Sequence, residues 1–548
     1  MESYYQKNSK PKVTVWLFYS LIILTLAKLI LSSGEEMLGF YLPNDDLWQV
    51  WAAQRWYWCG TYGADYLYHL PIYPLFIKLV SVTGAPLRLV MELLYCFSCS
   101  LLAVVLQRMG IPTSIAGLVG FAAIFNPASF QLPNRFGPEI LLASLLLLSF
   151  SQSLQWWIMR KTSGALYPAL LSSFFWALAW NVRKEAIILF PIFIALGLCV
   201  LFTDFSEKKE ILTKRLLVGV GIPFVACCVL SLTICSINYF RWGLFTNSIL
   251  TAPGYSAAFK ALQSIRPEKN RDYIPITVEA RKAAYKVSPS FALLEDQLEG
   301  PVGKGWAVFS KSWTDEKGIK NLDPLEISAG WFYWALYDSA VRAGYGRTPV
   351  QTDSFFYKIG KEINSALKEK KLPYRYVPVT MIDPDLLHWL PRYITSLKAV
   401  YNTFLTSSSP VRHIGDQAML SNAIKHEFDV VANRGPIKSA YWAWHLQTLW
   451  ESTYYQIVRY LQWMALIGIG TAIYLKQERF IFPVIFLFST AIITRILFFG
   501  LLDATAWNGA QPRYLFPVMP EFSMLIILGS WLFHQCIKNF SKQRNFHK

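Results

Sequence analysis

The chain has 548 residues, of which 54% are hydrophobic and 16% charged, and it carries a formal net charge of +17. A soluble protein carries about 25% charged residues; here the apolar excess collects in windows of roughly 17–25 residues, the length that crosses a bilayer core, which excludes a soluble globular enzyme. The positive residues are spread over short loops and tails rather than gathered into a basic patch with interleaved aromatics, so they report topology and anionic-lipid contact and exclude nucleic acid as a partner.

The pattern predicts an α-helical polytopic membrane protein with about ten transmembrane helices, near 13–32, 86–107, 113–130, 138–158, 165–181, 184–203, 216–238, 454–475, 480–502 and 513–535. The first run follows "MESYYQKNSKPK" without a small-residue cleavage motif and reads as a retained span. With both termini inside, Lys7, Lys10, Lys12, Arg108, Arg160, Lys161, the run Lys208 to Arg215, Lys476, Arg479 and the tail from Lys538 all fall on the cytoplasmic side. Arg183 and Lys184, in "WNVRKEAI", fall on the external side and depart from the rule. The apolar stretch 69–84 is too short to span and is expected to be interfacial or re-entrant.

Three regions follow from this count: a membrane module at 1–238 with its first external loop at 33–85, an extracytoplasmic domain at 239–453, and a C-terminal module of three spans at 454–548. The middle region reads as mainly α-helical. Phe355, Phe356, Ile359, Ile363 and Leu367 recur at i, i+3/i+4 spacing, and "ISAGWFYWALYDSAVRAGY" also has a helical pattern. Of the eight cysteines, all but Cys59 lie in or beside apolar segments, so no disulfide framework is implied.

The stretch "LPNDDLWQVWAAQRWYWCG" (42–60) places Asp45 and Asp46 ahead of Trp48, Trp51, Trp56 and Trp58. One reading is an amphipathic helix capped by Asn44, with acids favouring its dipole and tryptophans forming an interfacial belt. The other is catalytic. Further along stand "PIYP" (71–74), "NRFGPEILLASLLLL" (134–148), "ALAWNVRKEAIILFPIFIAL" (177–196) and "QPRYLFPVMPEFSMLII" (511–527). In order and sidedness these resemble the GT-C superfamily of membrane glycosyltransferases, such as the lipid A aminoarabinose transferases and protein O-mannosyltransferases. The likeness covers the membrane parts. The family more often shows Asp–Glu where this chain has Asp45–Asp46, and 239–453 matches none of its motifs.

The resemblance implies transfer of a sugar from a polyprenyl-phosphate donor to a hydroxyl of a glycan, lipid or protein acceptor on the external face, with inversion. Such chemistry wants a carboxylate base and cations for the phosphate leaving group. Asp45 is the favoured base, with Asp46 orienting the acceptor or binding a divalent cation. Arg513, beside Tyr514, is the first candidate for the phosphate, then Arg183 and Lys184, then Arg135; His69 could serve either role. For each cation the competing reading is an interfacial side chain snorkelling to water. Arg495 and Glu521, within the spans, read as a structural pair, with a role in the lipid-phosphate tunnel as the alternative, and Glu92 in the second span is read in the same way. Asp383, Asp385, His388, His426 and Asp429 make a poor metal signal, and no phosphate-binding loop, dinucleotide fingerprint or serine elbow occurs. The alternatives are a transporter or flippase of a lipid-linked or polar solute, which internal repeats would favour and none is present, and a scaffold built on 239–453. The setting expected is a bacterial inner membrane.

Overall fold

The computed structural model describes residues 14–33, 37, 43–63, 66–205, 207–269, 271–319, 322–380, 382, 384–406, 441–475 and 479–546. Among these every regular element is a helix, and the one β-bridge pairs Ile265 with Tyr374. In chain order α1 is Val15–Ser32, α2 Pro43–Gln54, α3 Ile72–Thr83, α4 Leu87–Arg108 and α5 Thr113–Ile124. Then come α6 Glu139–Met159, α7 Leu166–Trp180, α8 Ala186–Asp204 and α9 Lys209–Trp242. The polar region supplies α10 Pro253–Gln263, α11 Val278–Val287, α12 Pro301–Glu316, α13 Trp331–Ala340, α14 Pro349–Lys368 and α15 Leu386–Thr403. Last come α16 Trp442–Tyr474, α17 Phe482–Thr505 and α18 Pro512–Ser541.

Eight of the described helices are long and apolar enough to cross a bilayer, which makes the chain an integral membrane protein. A ninth crossing is made only if α5 is joined to Ala128–Asn134, from which it is bent by 49°. Pro127, with no N–H to donate, stands at that break. Helix α7, with the 3-10 turn Ser163–Ala165 directly before it, runs from the Arg160 end of the bundle back to Arg183 beside Glu139. Stretch 69–84 forms the short helix α3, in keeping with its length.

Helix α6 sits at the centre of the bundle. Its apolar window is 94% buried, against 22% for α1 and α9, as fits a helix apolar all round. Ser144, Ser149 and Ser151 turn their hydroxyls back to the carbonyls of Ile140, Leu145 and Leu147. Ser153 bonds Ser172 of α7 at 2.8 Å. Small, internally satisfied side chains let neighbouring helices approach closely. The N-terminus of this central rod carries Glu139.

The polar region builds a second core from Tyr255, Phe259, Phe332, Leu336, Phe356, Ile359 and Ile363. On α14 the stripe read from the sequence, Phe355 through Leu367, is buried. Tyr57, Leu67 and Tyr68 of the first loop belong to this same core, so that loop and the polar helices pack as one layer over the bundle. At the end of α15, Val400, Phe404 and Leu405 instead join the core of the spans. At the opposite end of the bundle, Asp204 bonds Arg160 at 3.1 Å and Arg215 at 2.8 Å.

Candidate active site

Helix α2 starts at Pro43. Pro suits a first helical position, because the N–H it lacks would have no helical partner there. Asp45 and Asp46 fall in the first turn, where the helix dipole favours negative charge. Being adjacent, they point about 100° apart and have different fates. Asp46 is buried, 1% exposed, and accepts a hydrogen bond from Arg135 Nη2 at 2.7 Å. Asp45 is 41% exposed and meets Arg513 Nη1 at 3.2 Å.

The loop after α2 is forced into shape. Trp56, Tyr57 and Gly60 have φ of +48°, +62° and +93°, a left-handed run that side chains resist and that surrounding contacts must hold. Tyr57 donates to the His69 carbonyl at 2.6 Å, and Trp58 Nε1 to Asn238 at 2.7 Å. Arg241, at the end of α9, donates to the carbonyls of Trp58 and Gly60 at 2.8 and 2.6 Å. Val50 and Ala53 are buried on the inner side of α2. The expected aromatic belt is corrected: Trp51 and Trp56 are exposed, but Trp48 stacks inward on Tyr68 and Trp334 and Trp58 is tied to α9.

The cations arrive from three other loops at this end of the bundle. Arg135 follows the bent α5 and lies 3.8 Å from Glu139. Arg183, between α7 and α8, reaches Glu139 at 2.7 Å and Glu185 at 2.6 Å. Arg513, in the first turn of α18, also donates to Gln511 at 2.8 Å and to the Tyr514 hydroxyl at 2.7 Å. Tyr514 accepts a second bond from Trp507 Nε1 at 2.6 Å, and the Arg183 guanidinium stands 5.4 Å from its ring. Arg495 donates to Glu185 at 3.1 Å and to the Tyr514 carbonyl. Its partner is thus Glu185 and not Glu521, whose two oxygens have no hydrogen-bond partner; the expected Arg495–Glu521 pair is corrected. Lys184 is exposed and its Nζ lies 5.9 Å from the Trp334 ring.

Five cations (Arg135, Arg183, Lys184, Arg495, Arg513) therefore face four carboxylates (Asp45, Asp46, Glu139, Glu185). Burial pushes the Asp46 carboxyl up to about 6 even against Arg135. Burial also opposes ionisation of Asp45, but the facing cations led by Arg513 outweigh it and hold this carboxyl below its ordinary range. His69 is pushed down to about 4 by burial and is neutral near pH 7. Lys184 is pushed down to about 8 by burial, with Asp45 working the other way. Asp45 and Lys184 are reachable by solvent yet crowded by protein.

All eight residues singled out from the sequence (Asp45, Asp46, His69, Arg135, Arg183, Lys184, Arg513 and Tyr514) meet in this one place. Glu139, Glu185, Trp507 and Gln511 were missed as site residues. Glu139 and Glu185 stand within two of the motifs quoted above, where an acid beside an arginine was the available signal. Among the described residues no group of three or more His, Cys, Asp or Glu side chains is placed to share a metal ion. The site's carboxylates already face guanidinium groups, so these residues do not fit a divalent cation. Asp385 caps α15 by accepting from the His388 amide, and His388 Nε2 meets Asp272 at 2.9 Å; Asp383, His426 and Asp429 lie outside the described residues.

No family model matches the chain and no curated protein matches it. Among solved structures, ArnT from Cupriavidus metallidurans in the apo state aligns over 90% of this chain and 77% of its own, at 11% identity and a TM-score of 0.30. The same protein bound to undecaprenyl phosphate aligns over 91% and 77%, at 12% identity and a TM-score of 0.32. A likeness this slight fixes neither fold nor activity for the chain, whose site must speak for itself.

Proposed function

We propose that the chain is a GT-C-type membrane glycosyltransferase that moves a sugar from a polyprenyl-phosphate donor to an acceptor hydroxyl. The acceptor would be a glycan, lipid or protein at the extracytoplasmic face of a bacterial inner membrane. The observation that carries this reading is the meeting of an exposed first-loop carboxylate, Asp45, with an excess of cations from three distant loops at one end of the spans. A carboxylate alone would be helix-dipole chemistry and scattered cations would be snorkelling. Together they offer a base and an anion cradle on one recess.

In the step this arrangement supports, Asp45 takes the proton of the acceptor hydroxyl as its oxygen attacks the anomeric carbon. The bond from that carbon to the phosphate oxygen breaks, and its electron pair leaves with the polyprenyl phosphate. Attack opposite the leaving group inverts the anomeric centre. Lys184, Arg183 and Arg513 face the charge that grows on the phosphate. Asp46, enclosed against Arg135, acts as a positioning residue that fixes α2 against the loop before α6. Glu139 bridges Arg135 and Arg183 and holds the cations in register.

The test is transfer of labelled sugar from a polyprenyl-phosphate donor by the purified chain in lipid, with Asp45→Asn and Asp46→Asn made separately. Asp45→Asn is expected to lower kcat by about 100- to 10,000-fold, the range for losing a general base. Full transfer by both variants would remove the catalytic assignment, and solute movement without transfer would favour a transporter.

A further inference from the structure

Helix α13 belongs to the polar region, yet it touches both halves of the ionic site. Trp331 and Trp334 stand three residues apart and share one face of that helix. Trp331 stacks on Trp507 with ring centroids 4.8 Å apart and planes at 21°. From Trp507 the contacts run through the Tyr514 hydroxyl to Arg513 and on to Asp45. The Gly330 amide donates to the Ala506 carbonyl at 2.8 Å and ties the start of α13 to the same loop.

Trp334 covers the other half. Its ring lies 5.5 Å from Trp48, which follows Asp45 by one turn on the same face of α2. It lies 5.0 Å from Tyr68, edge on, and Lys184 Nζ stands 5.9 Å from it. Trp48 in turn is 5.8 Å from the His69 ring, whose Nε2 is buried without a hydrogen-bond partner. Both Trp48 and Trp334 keep part of their surface open. Two half-open indoles, a lysine and the half-exposed Asp45 thus stand together, with the buried imidazole nitrogen of His69 behind Trp48.

These groups match the two faces of a sugar. One face of a sugar ring presents C–H groups, whose weakly positive hydrogens suit the negative face of an indole. Its rim presents hydroxyls that need donors and acceptors, and any attached phosphate needs a cation. We propose that Trp334, with Trp48 beside it, is the platform on which a sugar ring stacks, with the hydroxyl rim turned toward Lys184 and Asp45. Trp334 is a specificity-determining contact brought to the membrane site by the polar region. The inference rests on the reading of this recess as a sugar-transfer centre. The ring is the donor's or the acceptor's, and the experiment separates the two.

The full-length protein in lipid is assayed with polyprenyl phosphates carrying radiolabelled glucose, mannose, galactose, N-acetylglucosamine or arabinose, with donor and acceptor varied in turn. Trp334→Ala, Trp334→Tyr and Trp334→Leu are compared with the parent. Trp334→Ala is expected to raise one KM about tenfold, a stacking-sized effect, with kcat changed much less and Trp334→Tyr recovering most of the loss. A rise in the donor KM assigns the platform to the donor sugar, and a rise in the acceptor KM to the acceptor. Unchanged KM for both substrates in Trp334→Ala, or full affinity in Trp334→Leu, overturns the stacking role and leaves transfer itself intact. A parent protein that transfers none of these sugars overturns both the inference and the functional reading beneath it.

Discussion

Two ionic clusters meet at the consecutive residues Asn134 and Arg135, and they are built for different ends. The first is closed. Lys28 of α1 and Glu92 of α4 are 0% and 1% exposed and stand 3.9 Å apart, Lys28 donates to Ser129 at 2.6 Å, and its ammonium sits 3.3 Å from the Phe130 ring. Arg88 completes the cluster by bonding Glu92 at 3.2 Å, Asn134 at 2.7 Å and the Ser32 carbonyl at 2.6 Å. The second cluster, around Asp45, gathers five cations and four acids and has two members open to solvent. Buried charges in a span are costly and persist where they satisfy one another. The closed cluster ties α1, α4 and the bend after α5 together, just before Arg135. The open one has exposure left over for a substrate.

Breaking the closed cluster should cost stability and spare chemistry. Lys28→Met is expected to lower unfolding stability by about 3–5 kcal/mol, the scale of stranding one partner of a buried ion pair, with kcat per folded molecule unchanged; thermal unfolding in detergent beside the transfer assay checks both. Breaking the open cluster should do the reverse. Arg513→Met is expected to lower kcat by about 100- to 1,000-fold, as for loss of one preorganised stabiliser of developing charge, with little shift in the unfolding midpoint.

Asp46→Asn sits between the two clusters, because Asp46 is buried like the first and borders the second. A loss of about tenfold to a hundredfold in kcat is expected, smaller than for Asp45→Asn, since a displaced positioning group perturbs geometry without removing the base. The mildest test is pH. Lys184, at about 8, loses its charge as pH rises through that value, so donor KM should climb above pH 8. Asp46, at about 6, is protonated as pH falls through that value, which weakens its pairing with Arg135 and should lower kcat below pH 6. Asp45, held low, stays ionised across this window. Lys184→Arg should move the alkaline limb out of range, and Asp46→Asn should flatten the acid one.

The spans were legible because a bilayer imposes a length and a composition that one segment reveals by itself. The site's candidates were legible from sidedness: acids and cations at one end of the bundle had few other places to go. Their pairings were not. Asp45 and Arg513 are 468 residues apart in the chain, and Arg495 and Glu185 are 310 apart. Such contacts leave no local mark. Glu139 and Glu185 passed unnoticed because an acid near a helix start already has a sufficient cause in the dipole. The inward turn of Trp48 was hidden because its partner Trp334 lies in 239–453, the region that matches none of the family's motifs.

The central claim is that Asp45 serves the chemical step and not the binding of the donor. The most direct measurement compares equilibrium binding of a labelled polyprenyl-phosphate sugar with its turnover, in the parent and in Asp45→Asn. The account predicts donor affinity kept within about threefold while kcat falls by about 100-fold or more. Turnover at the parental rate in Asp45→Asn, or a loss confined to donor binding, would contradict it.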